Sequence, residues 1–250
     1  MTVYISENGI TLSGQTYTGA LYANMIHPDG RPYHTFRTPT VIIDGSHVTC
    51  RDCVFENTAG KGSDVGQAIA LTLDGDEIVL DHCVLRGHQD TLFLAPLPEK
   101  ETQKDGFVGP QQNHPRTRRT VYIRHCLIEG DVDFVFGGAT AYFDDCEFRS
   151  LGPGYVFAPC TPADVREGFI VRNCRFTCAD DVEDGSCYIA RPWREDGMVR
   201  LENCELGRHI HPLGWHDWNK TYAYDRIRFS EIGSYGPGAG KQRPPFVTTE

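Results

Sequence analysis

Long apolar runs are missing from this sequence. No stretch approaches the roughly 18–20 consecutive apolar residues of a bilayer-spanning helix, so membrane insertion by a helix is not expected. Positive charge is also in deficit. With 24 Lys and Arg against 34 Asp and Glu, the net charge is −10. That disfavours nucleic acid and anionic lipid as partners, because both want a basic face. Met1 to Gly9 hold no basic stretch leading into an apolar core, so no leader is visible. As written the chain reads as cytoplasmic, and as secreted if a leader has been removed. The ten histidines show no H-x-x-H spacing and there is no G-x-S-x-G word, so neither a metal motif nor a serine-hydrolase elbow is expected. Nor is there a long stretch of 3.6-residue periodicity, so helices should be few.

What is present is a repeat. Six segments share one pattern: two alternating apolar positions, a polar pair, Cys, and an apolar residue two places on. They are Val48–Phe55, Ile78–Leu85, Val121–Ile128, Ala141–Phe148, Phe169–Phe176 and Val199–Leu206. Alternation on each side of the polar pair predicts two short strands, each buried on one face, with a bend between them. Short strand pairs recurring without intervening helices predict a chain that coils on itself. The fold class is therefore all-β: a single-stranded right-handed parallel β-helix, with long loops such as 95–119 forming a surface cleft. A β-sandwich also accommodates short strands, but it has no reason to reuse Cys at one phase of a repeat. Residues 1–250 are expected to form one domain, with 241–250 as a loose tail.

The coil also decides the chemistry of the ten cysteines. Columned side chains one coil apart lie about 4.8 Å from each other with parallel Cα–Cβ vectors. A disulfide wants Cβ atoms roughly 3.5–4.5 Å apart, so the thiols are expected to be free and packed in the core. Cys50 and Cys53 form a C-x-x-C pair, yet both fall on inward phases and are read as packing.

Two words carry paired-carboxylate chemistry: Gln89-Asp90-Thr91-Leu92-Phe93 and Asp131-Val132-Asp133-Phe134-Val135-Phe136-Gly137. Two carboxylates can divide one hydrolysis if their surroundings separate their pKa values, one attacking while the other moves the proton. Together with Gln67-Ala68-Ile69-Ala70-Leu71 and Ala190-Arg191-Pro192-Trp193, these words resemble, in order and separation, the blocks of the pectin methylesterase (pectinesterase) family. Thr35–Thr40, Phe55–Gly60, Gly214–Asn219 and Gly233–Gly238 are similar to its flanking blocks. The resemblance runs over about residues 8 to 240.

The resemblance implies a right-handed parallel β-helix that hydrolyses C6 methyl esters of galacturonate units, in pectin or methylated oligogalacturonides, with no cofactor and no metal. Asp133 becomes the nucleophile and Asp90 the acid and then base. Gln67 and Gln89 become oxyanion donors, and Arg191 the partner that orients Asp133 and lowers its pKa. Trp193, Phe136, Val132, Thr35 and Trp215 are implied to contact substrate. Trp218 is left to ordinary loop burial, and His88 is singled out as a neighbour able to modulate the site. The family's opening cap helix and first coil have no recognisable counterpart. A monomer is expected. The rival readings are a β-helix that only binds carbohydrate, an esterase for another acyl ester, and a pectate lyase; the last would want clustered acidic calcium ligands and a basic catalytic residue.

Overall fold

A computed structural model describes residues 1–240 and 242–249. Each turn of the chain lays down up to three short strands, and every strand pairing is parallel with the equivalent strand of the next turn. Val41–Ile43, Thr49–Arg51 and Val54–Asn57 form one coil. They align with Leu71–Leu73, Ile78–Asp81 and Val84–Arg86 through Val41↔Leu71, Thr49↔Val79 and Val54↔Val84. The ladders continue through successive coils to Arg228–Ile232. This is a parallel β-helix. Among the described residues its helical content is one short α-turn, Gly62–Val65, and three 3-10 turns.

In-register stacking turns each inward position into a column. Cys50, Leu80, Ile123, Phe143, Val171 and Leu201 form one, and Phe55, Leu85, Ile128, Phe148, Phe176 and Leu206 another; all are buried. Phenylalanines inside the coil meet in edge-on and tilted pairs: Phe148 packs edge-on against Phe157 with centroids 4.9 Å apart and tilted at 31° against Phe176. The ten cysteines are free, as expected, and all but Cys178 are buried. Several donate their S–H to a carbonyl one coil away, among them Cys146 to Ile123 O at 3.4 Å and Cys204 to Val171 O at 3.5 Å.

The polar pair before each repeat cysteine has a sharper role than a generic bend. Its second member is left-handed in every repeat: Asp52, His82, His125, Asp145, Asn173 and Asn203 have φ of 53–55°, and Gly14 and Gly233 extend the column at both ends. These are the residue types that tolerate this conformation best. Asn173→Ala is therefore expected to cost about 1–2 kcal/mol in urea denaturation, whereas Asn173→Gly should be close to neutral. The first members alternate in charge up the stack: Arg51, Asp81, Arg124, Asp144, Arg172, Glu202. A parallel in-register stack would otherwise set like charges beside each other. Arg172 bonds Glu202 at 3.0 Å and Arg124 bonds Asp81 at 3.1 Å.

The C-terminal end departs from expectation. At the other end Val3–Ile5, Thr11–Ser13 and Thr16–Gly19 make a coil in register with 41–57. Of the tail expected to be loose, Lys241 and Glu250 lie outside the described residues. The rest is ordered: Val247–Thr249 pairs with Phe229–Glu231, and Phe246 is buried against Tyr224 and Phe229. The apolar contact offered by Phe246 outweighs the prolines before it.

Two central strands are long. Leu127–Gly137 and Glu147–Pro159 run through a corner where other coils have a loop. Their mutual register slips between Gly130 and Val132 and again between Val132 and Val135. A bulge of this kind re-aims side chains on the strand that carries it, and Asp133 lies inside it.

Candidate active site

The outer wall beside the bulge gathers residues from five coils. Leu92 pairs with Val135, and continuing that register backwards sets Asp90 opposite Asp133. The Asp90 N–H donates to Val132 O at 3.0 Å, and Ala68 N–H donates to Gln89 O at 3.1 Å, which brings Gln67 alongside. On the far side Phe157 pairs with Ala190, placing Arg191 in the next row. Both aspartates are left-handed, with φ of 66° for Asp90 and 49° for Asp133. Non-glycine residues in this region often mark functional positions held by their surroundings.

Gln67, Gln89, Asp90, Asp133 and Arg191 all line one cavity of about 570 Å³, with Thr35, Phe136 and Trp193 in its wall. Phe36, Phe93, Phe107 and Phe136 form an apolar cluster on the outer wall, separate from the main core, and Trp193 and Trp218 pack against it. That cluster seats the loops that raise the cavity walls. Gly62 is required on the Gln89 side, because a Cβ there would come within 2.5 Å of the glutamine Oε1.

Asp133 is gripped by Arg191 through two parallel bonds, Nε to Oδ1 at 2.8 Å and Nη2 to Oδ2 at 2.6 Å. The guanidinium is itself sandwiched, 3.9 Å from the Tyr155 ring centroid and 3.8 Å from that of Trp218. Neither aromatic was assigned to the site from the sequence. Tyr155 gives no signal there because its nearness depends on a neighbouring coil.

Both carboxyls are almost fully buried, and burial is the largest influence on each. It pushes Asp133 above its ordinary range, with Arg191 and then Lys220 opposing. The expectation that Arg191 would leave Asp133 with a lowered pKa is thus corrected: desolvation outweighs the ion pair. Asp90 is pushed well above the usual range, first by burial and then by the charge of Asp133; Arg191 opposes and Asp131 adds to the rise. Arginine keeps its charge, so Asp133 is the carboxyl held in a direct ion pair, and Asp90, raised further, is the one better suited to keep a proton. His88 approaches Asp131, not Asp90, with Nδ1 3.0 Å from Asp131 Oδ2.

Two substrate-contact assignments change. Trp215 is 1% exposed, inside the main core, with Nε1 donating to Glu231 Oε2 at 2.8 Å and its ring 5.0 Å from Phe229. Its coil phase points inward, which the motif could not reveal. Trp215→Phe should lower stability by about 2 kcal/mol through the lost bond to a charged acceptor, with turnover per folded molecule unchanged. Val132 is not in the cavity wall; its contribution is the carbonyl that accepts from Asp90. Lys220, passed over in the sequence, does line the cavity. Its Nζ donates to Pro192 O at 2.9 Å and lies 4.6 Å from the Trp218 centroid, and burial lowers its pKa.

A parallel β-helix whose outer wall holds a carboxyl pair, an arginine clamp and two amide side chains is a solenoid with a paired-carboxylate site. The chain belongs to the pectinesterase family, whose model matches residues 3–97 and 111–244. It is 32% identical over 221 residues to a pectinesterase/pectinesterase inhibitor of Prunus persica, covering 82% of this chain and 37% of that protein. It is 29% identical over 214 residues to pectinesterase 31 of Arabidopsis thaliana, covering 85% and 59%. The chain spans less than two thirds of the length of the curated relatives it matches. Among solved structures, the pectin methylesterase from carrot superposes with a TM-score of 0.77 at 22% identity, covering all of this chain and 77% of that one. The Aspergillus niger enzyme gives 0.74 at 24%, covering 99% and 80%. These likenesses fix the fold as right-handed. No helix among the described residues is long and apolar enough to cross a membrane.

Proposed function

We propose that this chain is a pectin methylesterase, hydrolysing C6 methyl esters of galacturonate units in pectin or methylated oligogalacturonides and releasing methanol. The observation that carries the reading is the pairing of a clamped Asp133 with a buried Asp90, its pKa pushed well above the usual range by burial, in one cavity. An ionised Asp133 oxygen attacks the ester carbonyl carbon and the C=O pair moves to oxygen. Gln67 and Gln89, which line the same cavity, would donate amide N–H groups to that oxygen, and each such donor supplies about 2.7–4 kcal/mol to a developing oxyanion. As the carbonyl re-forms, the C–O bond to methoxide breaks and Asp90 hands over its proton, giving methanol and an anhydride on Asp133. Asp90, now ionised, takes a proton from water. The resulting hydroxide opens the anhydride, so Asp133 is released ionised and the product leaves as the carboxylic acid. The balance closes as ester plus water to acid plus methanol, using only side chains of one chain.

Trp193 offers a ring for stacking on a sugar, and Thr35 and Phe136 complete that wall. Lys220 and Arg194 put positive charge on a cavity of an acidic protein. Such charge suits a chain carrying free carboxylates beside its esters. A related fold, a pectin methylesterase at 23% identity and a TM-score of 0.73, has been solved in complex with a hexasaccharide. The test is methanol release from methylated oligogalacturonide measured beside acetate release from acetylated sugars. Rapid methanol with negligible acetate supports the proposal; comparable rates on both would move the substrate class, and no methanol would end it.

A further inference from the structure

The linear spacing of the histidines shows no metal motif, but the coil brings two of them together. His82 and His125 occupy the same left-handed corner position in successive coils, both with φ 54°. The register Asp81↔Arg124 and the bond from His82 N–H to Arg124 O at 3.1 Å fix them one rung apart. Their rings stack with centroids 4.6 Å apart and planes 26° from parallel. Both Nδ1 atoms converge on one carboxylate oxygen, Asp81 Oδ1, at 2.9 Å from His82 and 3.2 Å from His125. The other carboxylate oxygen is held by Arg124 Nη2 at 3.1 Å, which fixes the carboxylate's orientation and leaves Oδ1 turned to the imidazoles.

We propose that Asp81, His82 and His125 form a binding site for a transition-metal dication that prefers imidazole, of the Zn²⁺ or Ni²⁺ type. Two imidazoles and a carboxylate are a donor set that suits these ions. With metal–nitrogen distances of about 2.0–2.1 Å and metal–oxygen distances of about 2.0–2.2 Å, tetrahedral ligand atoms lie roughly 3.3 Å from one another. The two measured Asp81–His separations need only a few tenths of an ångström of adjustment. The fourth position opens to water, since both histidines are exposed. Arg51 and Arg124, the rungs on either side of Asp81, oppose a cation here. Asp52 and Asp145, the next members of the same corner column on either side, offset that charge. The ion would link two coils at a corner separated from Gln89 and Asp90 by the strand Val84–Arg86, so its effect falls on stability and not on ester hydrolysis.

Calorimetric titration with Zn²⁺ and with Ni²⁺, on wild type, His82→Asn and His125→Asn, decides the matter. Asparagine keeps the left-handed corner, so these variants retain the fold. One equivalent should bind wild type at micromolar concentration and raise its melting temperature. Each variant should bind at least about tenfold more weakly, since even losing an outer-shell partner costs that much. Equal binding by wild type and both variants would assign the ion to another place, such as the thiols, and no stoichiometric binding by wild type would remove the site altogether. Should a variant unfold, carbethoxylation of wild type mapped by mass spectrometry replaces it. Zn²⁺ must then shield His82 and His125, and unshielded rings overturn the proposal.

Discussion

Asp133→Ala is expected to reduce methanol release by ~10⁴-fold or more, the scale on which removing a covalent nucleophile acts. The loss should fall on kcat. Trp193, Phe136 and Thr35 stay in the cavity wall, so on the proposed reading the sugar-binding wall is kept and KM should move by little. The variant leaves Arg191 without its bidentate partner, yet the guanidinium keeps its place between Tyr155 and Trp218. Burying an unpaired charge still carries a stability cost of about 3–5 kcal/mol. Asp133→Asn separates the two effects, because the amide oxygen still accepts one bond from Arg191. A stable but inactive Asp133→Asn protein is the expected result. Wild-type turnover by either variant, with methanol measured directly, would remove the nucleophile from the scheme.

Asp90→Asn is the second large effect, a fall of about 10²–10⁴ in kcat/KM for loss of the acid and base. It also makes a prediction about pH that a merely structural residue would not share. The proposed mechanism needs Asp133 ionised and Asp90 protonated. Both carboxyls are raised above the ordinary range, Asp90 well above it. Activity should therefore rise with pH as Asp133 ionises and decline at higher pH as Asp90 loses its proton. In Asp90→Asn the residual activity should lack the alkaline decline.

Stability gives an independent reading of the same group. Because Asp90 titrates higher folded than unfolded, its contribution is fully favourable below the unfolded carboxyl value. That contribution is lost as pH climbs toward the folded value, by about 1.4 kcal/mol per pH unit. Asp90→Asn should thus be more stable than wild type at neutral pH, and the advantage should shrink toward acid conditions. Denaturation midpoints measured across pH that never diverge would mean that Asp90 is not raised in the folded protein.

The strand-and-bend repeat was legible because its period is short and its chemistry local. Alternation marks the inward face, and a polar residue tolerant of left-handed backbone marks each corner. Free buried thiols followed from the coil spacing alone. Trp215 and Trp218 were legible only as aromatics. Which of them turned inward depended on the phase of a coil whose preceding loop has no repeat to count from. The motif word is the same for a tryptophan that packs on Phe229 and one that faces Arg191.

The sequence by itself determined a β-solenoid and the unpaired state of the cysteines, because both follow from local pattern and coil spacing; the two acids, two amides and one arginine were marked by the resemblance of their words to the family's blocks. Tertiary structure alone decided that Asp90 faces Asp133 across a bulged ladder, that Arg191 is wedged between Tyr155 and Trp218, and that His82 meets His125. It also decided that burial outweighs the arginine in setting the Asp133 pKa. Desolvation and contacts between coils depend on what stacks above and below a residue, and chain order along one coil does not encode that.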